Sequence, residues 1–121
     1  MSDEMKKTEM LKKNYEFKNV LDKGKYFGGD YIEAFVIKNE TPKNQLGIAI
    51  SKKIGKATIK NNIKRLIREN YRLLEEEIKT GYSLVILWKK QADIQEAKFH
   101  NIEKDLIKIL DKAGMREQNS V

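Results

Sequence analysis

The chain has 121 residues, with 25 Lys and Arg against 18 Asp and Glu, a formal charge of +7; 40 % of residues are hydrophobic and 36 % charged, which suits a single domain over residues 1–121 with a modest core. It has no cysteine and one histidine, which excludes a disulfide framework, a thiolate metal site and a His-rich zinc site, and weakens any His-based catalysis. The longest apolar run, residues 84–88, is too short to span a bilayer, and the first ten residues lack the apolar stretch of a secretory signal, so a cytoplasmic protein with no membrane partner is expected.

Residues 1–7 are polar and are expected to be disordered, as is the tail 116–121. Asn14 can cap a short helix to about residue 22, with Phe17, Val20 and Leu21 on one side and Gly24 just past its end. Residues 31–37, YIEAFVI, read as a strand: Tyr31, Glu33 and Phe35 share one face, Ile32, Ala34 and Val36 the other. A turn follows at 39–44, around Pro42. A second strand at 46–51 alternates Leu46, Ile48 and Ile50 against Gly47, Ala49 and Ser51. That second face is unusually small, so a helix or a ligand must approach it closely.

A loop with Gly55 inside it leads to a helix that opens at Ala57 or Thr58 and runs to about residue 79, before Gly81. Residues 82–88, YSLVILW, are apolar on both faces, as in an interior strand. Asp93, with Glu96 three residues on, can form a capping box for a last helix. Its apolar stripe is Phe99, Ile102, Leu106, Ile109, Leu110 and Ala113, closed by Gly114. The whole reads as a small α+β two-layer sandwich, in the order αβββαβα.

Residues 52–72 carry the entire net charge. They hold Lys52, Lys53, Lys56, Lys60, Lys64, Arg65, Arg68 and Arg72 against the single acid Glu69. At about 100° per residue, Lys64, Arg68, Asn61, Arg72 and Arg65 fall within roughly 140° of Lys60. Ile59, Ile63, Leu66, Ile67, Leu73 and Leu74 take the opposite third. One arc is therefore buried and the other is cationic. Like charges four residues apart repel, at a few tenths of a kcal/mol per pair by order of magnitude. A helix that keeps them without interleaved acids gains something elsewhere, and a polyanion such as RNA is the natural partner. Asn61 and Asn62 add amide groups suited to phosphate and 2′-hydroxyl contacts. The alternatives are a solvated basic helix, a membrane-surface helix and a helix for a DNA major groove. The acids Glu75, Glu76 and Glu77 run against the preference of a helix C-terminus.

The run Gly47-x-x-x-Ser51-Lys52-Lys53-x-Gly55-x-Ala57, followed by Lys60-Asn61-Asn62-x-Lys64-Arg65-x-x-Arg68-Glu69, resembles the bacterial ribonuclease P protein subunit family. The second segment is similar to that family's RNR motif, usually Arg-Asn-Arg-x-x-Lys/Arg-Arg. Lys13-Asn14-x-x-Phe17-x-x-Val20 resembles the family's first helix, and the segment from Gly81 to Lys90 its last strand and following basic pair. Asn61, Lys64, Arg65 and Arg68 match the motif. Lys60 keeps charge but lacks the bidentate fork of arginine, and Asn62 lacks the charge. Leu21 stands where the family usually has a second aromatic residue.

The resemblance implies a subunit that binds a large catalytic RNA through the basic helix and loop: Lys52, Lys53, Lys56, Lys60, Asn61, Asn62, Lys64, Arg65, Arg68 and Arg72. The complex would remove the 5′ leader of precursor tRNA to leave a mature 5′-phosphate end, with the RNA and its Mg²⁺ ions doing the chemistry and no dedicated protein metal site. It implies a left-handed parallel βαβ crossover through the basic helix, an exception to a strong rule. It also implies a cleft for the single-stranded leader, at Phe17, Leu21, Phe35, Ser51 and Lys52, with Lys89 and Lys90 at the strand exit. Aromatic faces can stack on unpaired bases, and a nearby cation can hold the backbone. The plain alternatives are that Phe17 and Phe35 are ordinary core, and that Lys89 and Lys90 are simply solvated.

Protein catalysis finds no support in the residues themselves. Asp22, Asp30, Asp93 and Asp111 are scattered, no Ser-His pair stands out, and His100 reads as a surface residue of the last helix; Trp88 reads as core. A plain ribosomal or assembly RNA-binding protein is the competing reading. The oligomeric state is left open.

Overall fold

The computed structural model describes residues 5–117. Among these, five strands form one mixed sheet, in the order β1-β4-β5-β3-β2. They are β1 (Thr8–Met10), β2 (Lys25–Gly28), β3 (Ile32–Lys38), β4 (Asn44–Ala49) and β5 (Tyr82–Trp88). The helices are α1 (Asn14–Lys23), α2 (Ala57–Leu74) and α3 (Phe99–Lys112). The α+β order is the expected one, with β1 added at the front.

β5 is central because it is apolar on both faces. It pairs parallel with β4 and antiparallel with β3. The parallel β4–α2–β5 crossover therefore falls where the resemblance implies it. Leu46, Ile32, Ala34, Val36, Leu84, Ile86 and Trp88 face the layer of α2 and α3, which contributes Ile63, Leu66, Ile67, Tyr71, Ile102, Leu106, Ile109 and Leu110. On the opposite face Leu11, Val20 and Val85 form a smaller cluster with Phe17, Leu21, Phe35, Ile37, Ala49 and Leu87. α1 covers only part of this second face. Trp88 completes the main core: it is buried, stacks on Tyr31 at 5.9 Å, and donates its indole N–H to the Ala92 carbonyl.

Several boundaries differ from the sequence reading. Asn14 is the first helical residue of α1, not its cap. The free N–H groups at that end are met by Glu16, whose Oε1 accepts from the Lys12 and Lys13 amides. α2 ends at Leu74, and Glu75–Glu77 form a 3-10 turn instead of continuing to residue 79. The buried Glu75 carboxylate accepts the backbone N–H of Lys6 and Lys7, both at 2.9 Å, and Glu77 accepts from Arg116 at 3.0 Å. These long-range bonds explain the acidic run better than the helix dipole does. They also hold Lys6, Lys7 and Arg116, which lie in segments expected to be disordered; residues 1–4 and 118–121 lie outside the described residues.

Asp93 caps a separate 3-10 turn, Ile94–Glu96, through the Gln95 amide, so the expected capping box on α3 does not form. Phe99, at the start of α3, is 37 % exposed instead of lying in its apolar stripe. Asp105 of α3 is buried and ties this helix to the approach of β3: its carboxylate accepts the amides of Asp30, Tyr31 and Ile32 at 2.9, 2.6 and 3.0 Å. Tyr71 of α2 is also buried, with its hydroxyl 3.0 Å from Thr8 Oγ1 and in reach of the Asn44 amide. Burial pushes this phenol up to about 12.

Candidate nucleic-acid interface

Two surfaces meet at the exit of β4: the outer arc of α2, and the part of the sheet that α1 leaves open.

The N-terminal end of α2 has no side-chain cap and no acid in its first turn. Its buried side is Ile63, Leu66, Ile67, Asn70, Tyr71 and Leu74. Lys52, Lys53, Lys56, Asn61, Asn62, Lys64 and Arg65 are exposed, whereas Lys60, Arg68 and Arg72 are half-buried. The wheel placed Leu73 on the buried arc, but it is 59 % exposed. Ser51 turns the chain into the loop: its hydroxyl accepts from the Lys53 amide, and its carbonyl from the Ile54 amide. That turn presents Lys52 and Lys53 outward.

The charges on α2 are not equivalent. Arg65 is held on two sides, through Nη1 by Glu69 and through Nη2 by Asn62 Oδ1 at 2.9 Å. Arg65, Arg68, Glu69 and Arg72 line a cavity of about 200 Å³. The Nε of Arg72 is enclosed and has no hydrogen-bond partner among the described residues. An arginine-lined recess of this kind suits a phosphate group.

The second surface follows from strand register. On the α1 side of the sheet, Gly47, Val85, Phe35 and Tyr26 form one row across β4, β5, β3 and β2. Ala49, Leu87, Glu33 and Gly28 form the next row. Phe17 of α1 settles on Gly47: a Cβ there would lie 2.6 Å from the ring and 3.0 Å from Leu11. The small face of β4 thus receives a helix. α1 crosses over the first row, and Phe17, Leu21, Phe35, Ala49 and Leu87 remain half-buried. They make a half-covered apolar strip beside α1, a candidate trough. Ser51 and Lys52 stand where β4 leaves it, and Lys89 continues the face of Leu87.

Lys90 follows Lys89 in the turn after β5. It lines a groove of about 390 Å³ with Ser51, Lys53, Ile54, Ala92 and Ile94, beyond the ends of β4 and β5.

A sequence model of the family described as Ribonuclease P matches residues 5–114. The chain belongs to the ribonuclease P protein family. It is 40 % identical over 110 residues to the ribonuclease P protein component of Clostridium botulinum (strain Langeland / NCTC 10281 / Type F), covering 90 % of this chain and 97 % of that protein. The corresponding component of Thermoanaerobacter sp. (strain X514) is 34 % identical over 114 residues, covering 94 % and 97 %. Among solved structures, the RNase P protein of Staphylococcus aureus superposes with a TM-score of 0.78 at 27 % identity, covering 89 % of this chain and 97 % of that one. The Thermotoga maritima protein gives 0.78 at 27 %, covering 86 % and 96 %. RNA binding and a place in tRNA processing follow from membership of the ribonuclease P family.

Two residues beside the trough escaped the sequence reading. Tyr26 lies directly across from Phe35, with ring centroids 5.4 Å apart in an edge-on arrangement. Its hydroxyl donates to Glu33 Oε1 at 2.8 Å. That bond, with some burial, raises the phenol above its ordinary range. Alternation along β3 puts Glu33 on the face of Phe35, which is the available signal. Tyr26 belongs to a four-residue edge strand with no clear local pattern.

Among the described residues, no three His, Asp or Glu side chains come together as metal ligands. His100 is exposed, 3.3 Å from Glu103. No helix among the described residues is long and apolar enough to cross a membrane.

Proposed function

We propose that this protein docks on a large catalytic RNA through α2 and the loop before it, and lays the trough beside α1 along the single-stranded 5′ leader of precursor tRNA. The observation that carries this reading is the shared strand exit. The cationic arc and the half-covered aromatic floor both begin at Ser51 and Lys52, so one RNA-anchored body brings the trough to a fixed place. The aromatic faces of Phe17 and Phe35 offer stacking without sequence readout, and Lys52 and Lys89 offer charge to the backbone. Cleavage is assigned to the RNA and to Mg²⁺ held by it; the protein supplies binding and orientation. The setting is the cytoplasm.

The test is reconstitution with a cognate catalytic RNA. Addition of the protein should raise precursor-tRNA cleavage at low Mg²⁺ and make the complex favour precursor over mature tRNA. Unchanged cleavage would refute the subunit role. Binding to the RNA with no precursor preference would favour a structural RNA-binding protein instead.

A further inference from the structure

The wall of the trough on the β2 side differs from the rest. Tyr26 is 49 % exposed yet fixed: its ring meets Phe35 edge-on, and its hydroxyl is bonded to Glu33. Gly28, two residues along the same face, leaves room for it, since a Cβ there would lie 2.7 Å from the Tyr26 oxygen. The hydroxyl has one O–H, and it is donated to Glu33. What the pair offers a ligand is therefore acceptors only, namely Glu33 Oε2 and the remaining lone pairs. Among the described residues Glu33 has no ion-pair partner.

An unneutralised carboxylate repels phosphate and attracts N–H donors. A single strand in the trough is thus oriented: its phosphates are drawn to Lys52 and Lys89 on the β4–β5 side. Its bases then point across Phe35 toward β2. We propose that Glu33, positioned by Tyr26, reads the Watson–Crick edge of a leader base stacked on Phe35, and that it selects guanine. Guanine presents N1–H and N2–H side by side to the two carboxylate oxygens. Adenine and cytosine present one amine beside a ring acceptor. Uracil presents one N–H between two carbonyl oxygens and ranks last. This rests on the leader reading above.

The test uses the reconstituted complex and precursor tRNAs with uridine leaders carrying a single G, A, C or U at successive positions. At one position guanine should bind about 10-fold tighter than uridine. Glu33→Gln, nearly isosteric and partly exposed, should bring that ratio to within about 2-fold while mature-tRNA affinity stays constant. Tyr26→Phe should lower the ratio part-way, because the carboxylate loses its brace. Equal affinities at every position, or a guanine preference that survives Glu33→Gln, overturn the proposal. Phe17→Ala and Phe35→Ala separate the two readings. If they weaken precursor binding while base order is flat, the leader reading stands and base selection fails; if they leave precursor preference untouched, both fail.

Discussion

Salt titration tests the charge on α2 residue by residue. Lys52, Lys53, Lys56 and Lys64 are exposed and form no ion pair among the described residues, and Lys60 and Arg68 are partly exposed. If about five of these six cations meet phosphate, log K for the RNA should fall against log[salt] with a slope of about −3.5 to −4.5. Lys64→Ala removes one full contact and should flatten the slope by about 0.7 to 0.9. Arg65→Ala should change it less, because Glu69 already neutralises part of that charge. Glu69→Gln releases Arg65, so it should steepen the slope and tighten binding at low salt. The exposed pair itself is worth only about 0.3 to 0.5 kcal/mol, so helix stability should hardly change. Fluorescence polarisation against the cognate RNA, from about 50 to 200 mM monovalent salt at fixed Mg²⁺, reads all four proteins. A slope near zero, or a Glu69→Gln variant that binds more weakly, would refute the reasoning.

Three further outcomes are expected. Gly47→Ala places a methyl 2.6 Å from the Phe17 ring; it should cost about 1 to 3 kcal/mol of stability in urea unfolding and reduce precursor-over-mature discrimination, because Phe17 must tilt. Asp105→Ala strips the acceptor from three amides, of which that of Ile32 is the buried one; a loss of about 2 to 4 kcal/mol should appear, with RNA affinity of the folded protein kept. Tyr71 supplies an alkaline prediction: its phenol titrates near about 12 when folded, against 10.0 for an ordinary tyrosine. Below pH 10 both states are protonated and nothing is lost. Above it the unfolded chain sheds the proton first, so stability should fall as pH rises from 10 toward about 12, by a few kcal/mol in all, on the order of 1 kcal/mol per pH unit. Tyr71→Phe should flatten that part of the wild-type curve in pH-dependent unfolding; superimposable slopes would count against the buried phenol.

What the sequence made legible was set by local pattern. β3 and β5 announce themselves through alternation and through a run apolar on both faces. The bare face of Gly47 and Ala49 foretold a close neighbour, and Phe17 is that neighbour. The misses have long-range causes. β1, absent from the expected order, and β2, expected in the order but not located in the sequence, are three and four residues long and exist because β4 and β3 offer them edges. The end of α2 depends on Glu75 meeting amides nearly seventy residues away. Periodicity cannot tell that Leu73 and Phe99 face solvent, since spacing alone does not say where the opposing layer stops. The site divides the same way. Phe17, Leu21 and Phe35 are candidates through the family pattern, while Tyr26 and Glu33 meet only through the register of β2 on β3. Lys90, adjacent to Lys89 in sequence, lies in the turn after β5 and lines the groove shared with Ser51 and Lys53.

Asn62, where the chain departs furthest from the family motif, bears on how charge is used. An arginine at 62 would add a cation one helical turn from Arg65, and the two would repel. Asn62 instead accepts a hydrogen bond from Arg65, while Glu69 holds the other nitrogen of the same guanidinium. A free arginine side chain costs about 0.5 to 1.5 kcal/mol to order on binding, and a braced one less. Relative to an arginine at 62, the chain has one cation fewer and a neighbouring guanidinium held in one direction. The two effects differ in kind. The missing cation would weaken binding to any phosphate, whereas a fixed guanidinium would favour an RNA whose phosphates fit its direction. On that reasoning this α2 would favour fit over raw charge more than an arginine-flanked motif does, and the proposed role of Glu33 follows the same logic: on a strongly basic protein, an acid without an ion-pair partner would select among ligands by repulsion as well as attraction.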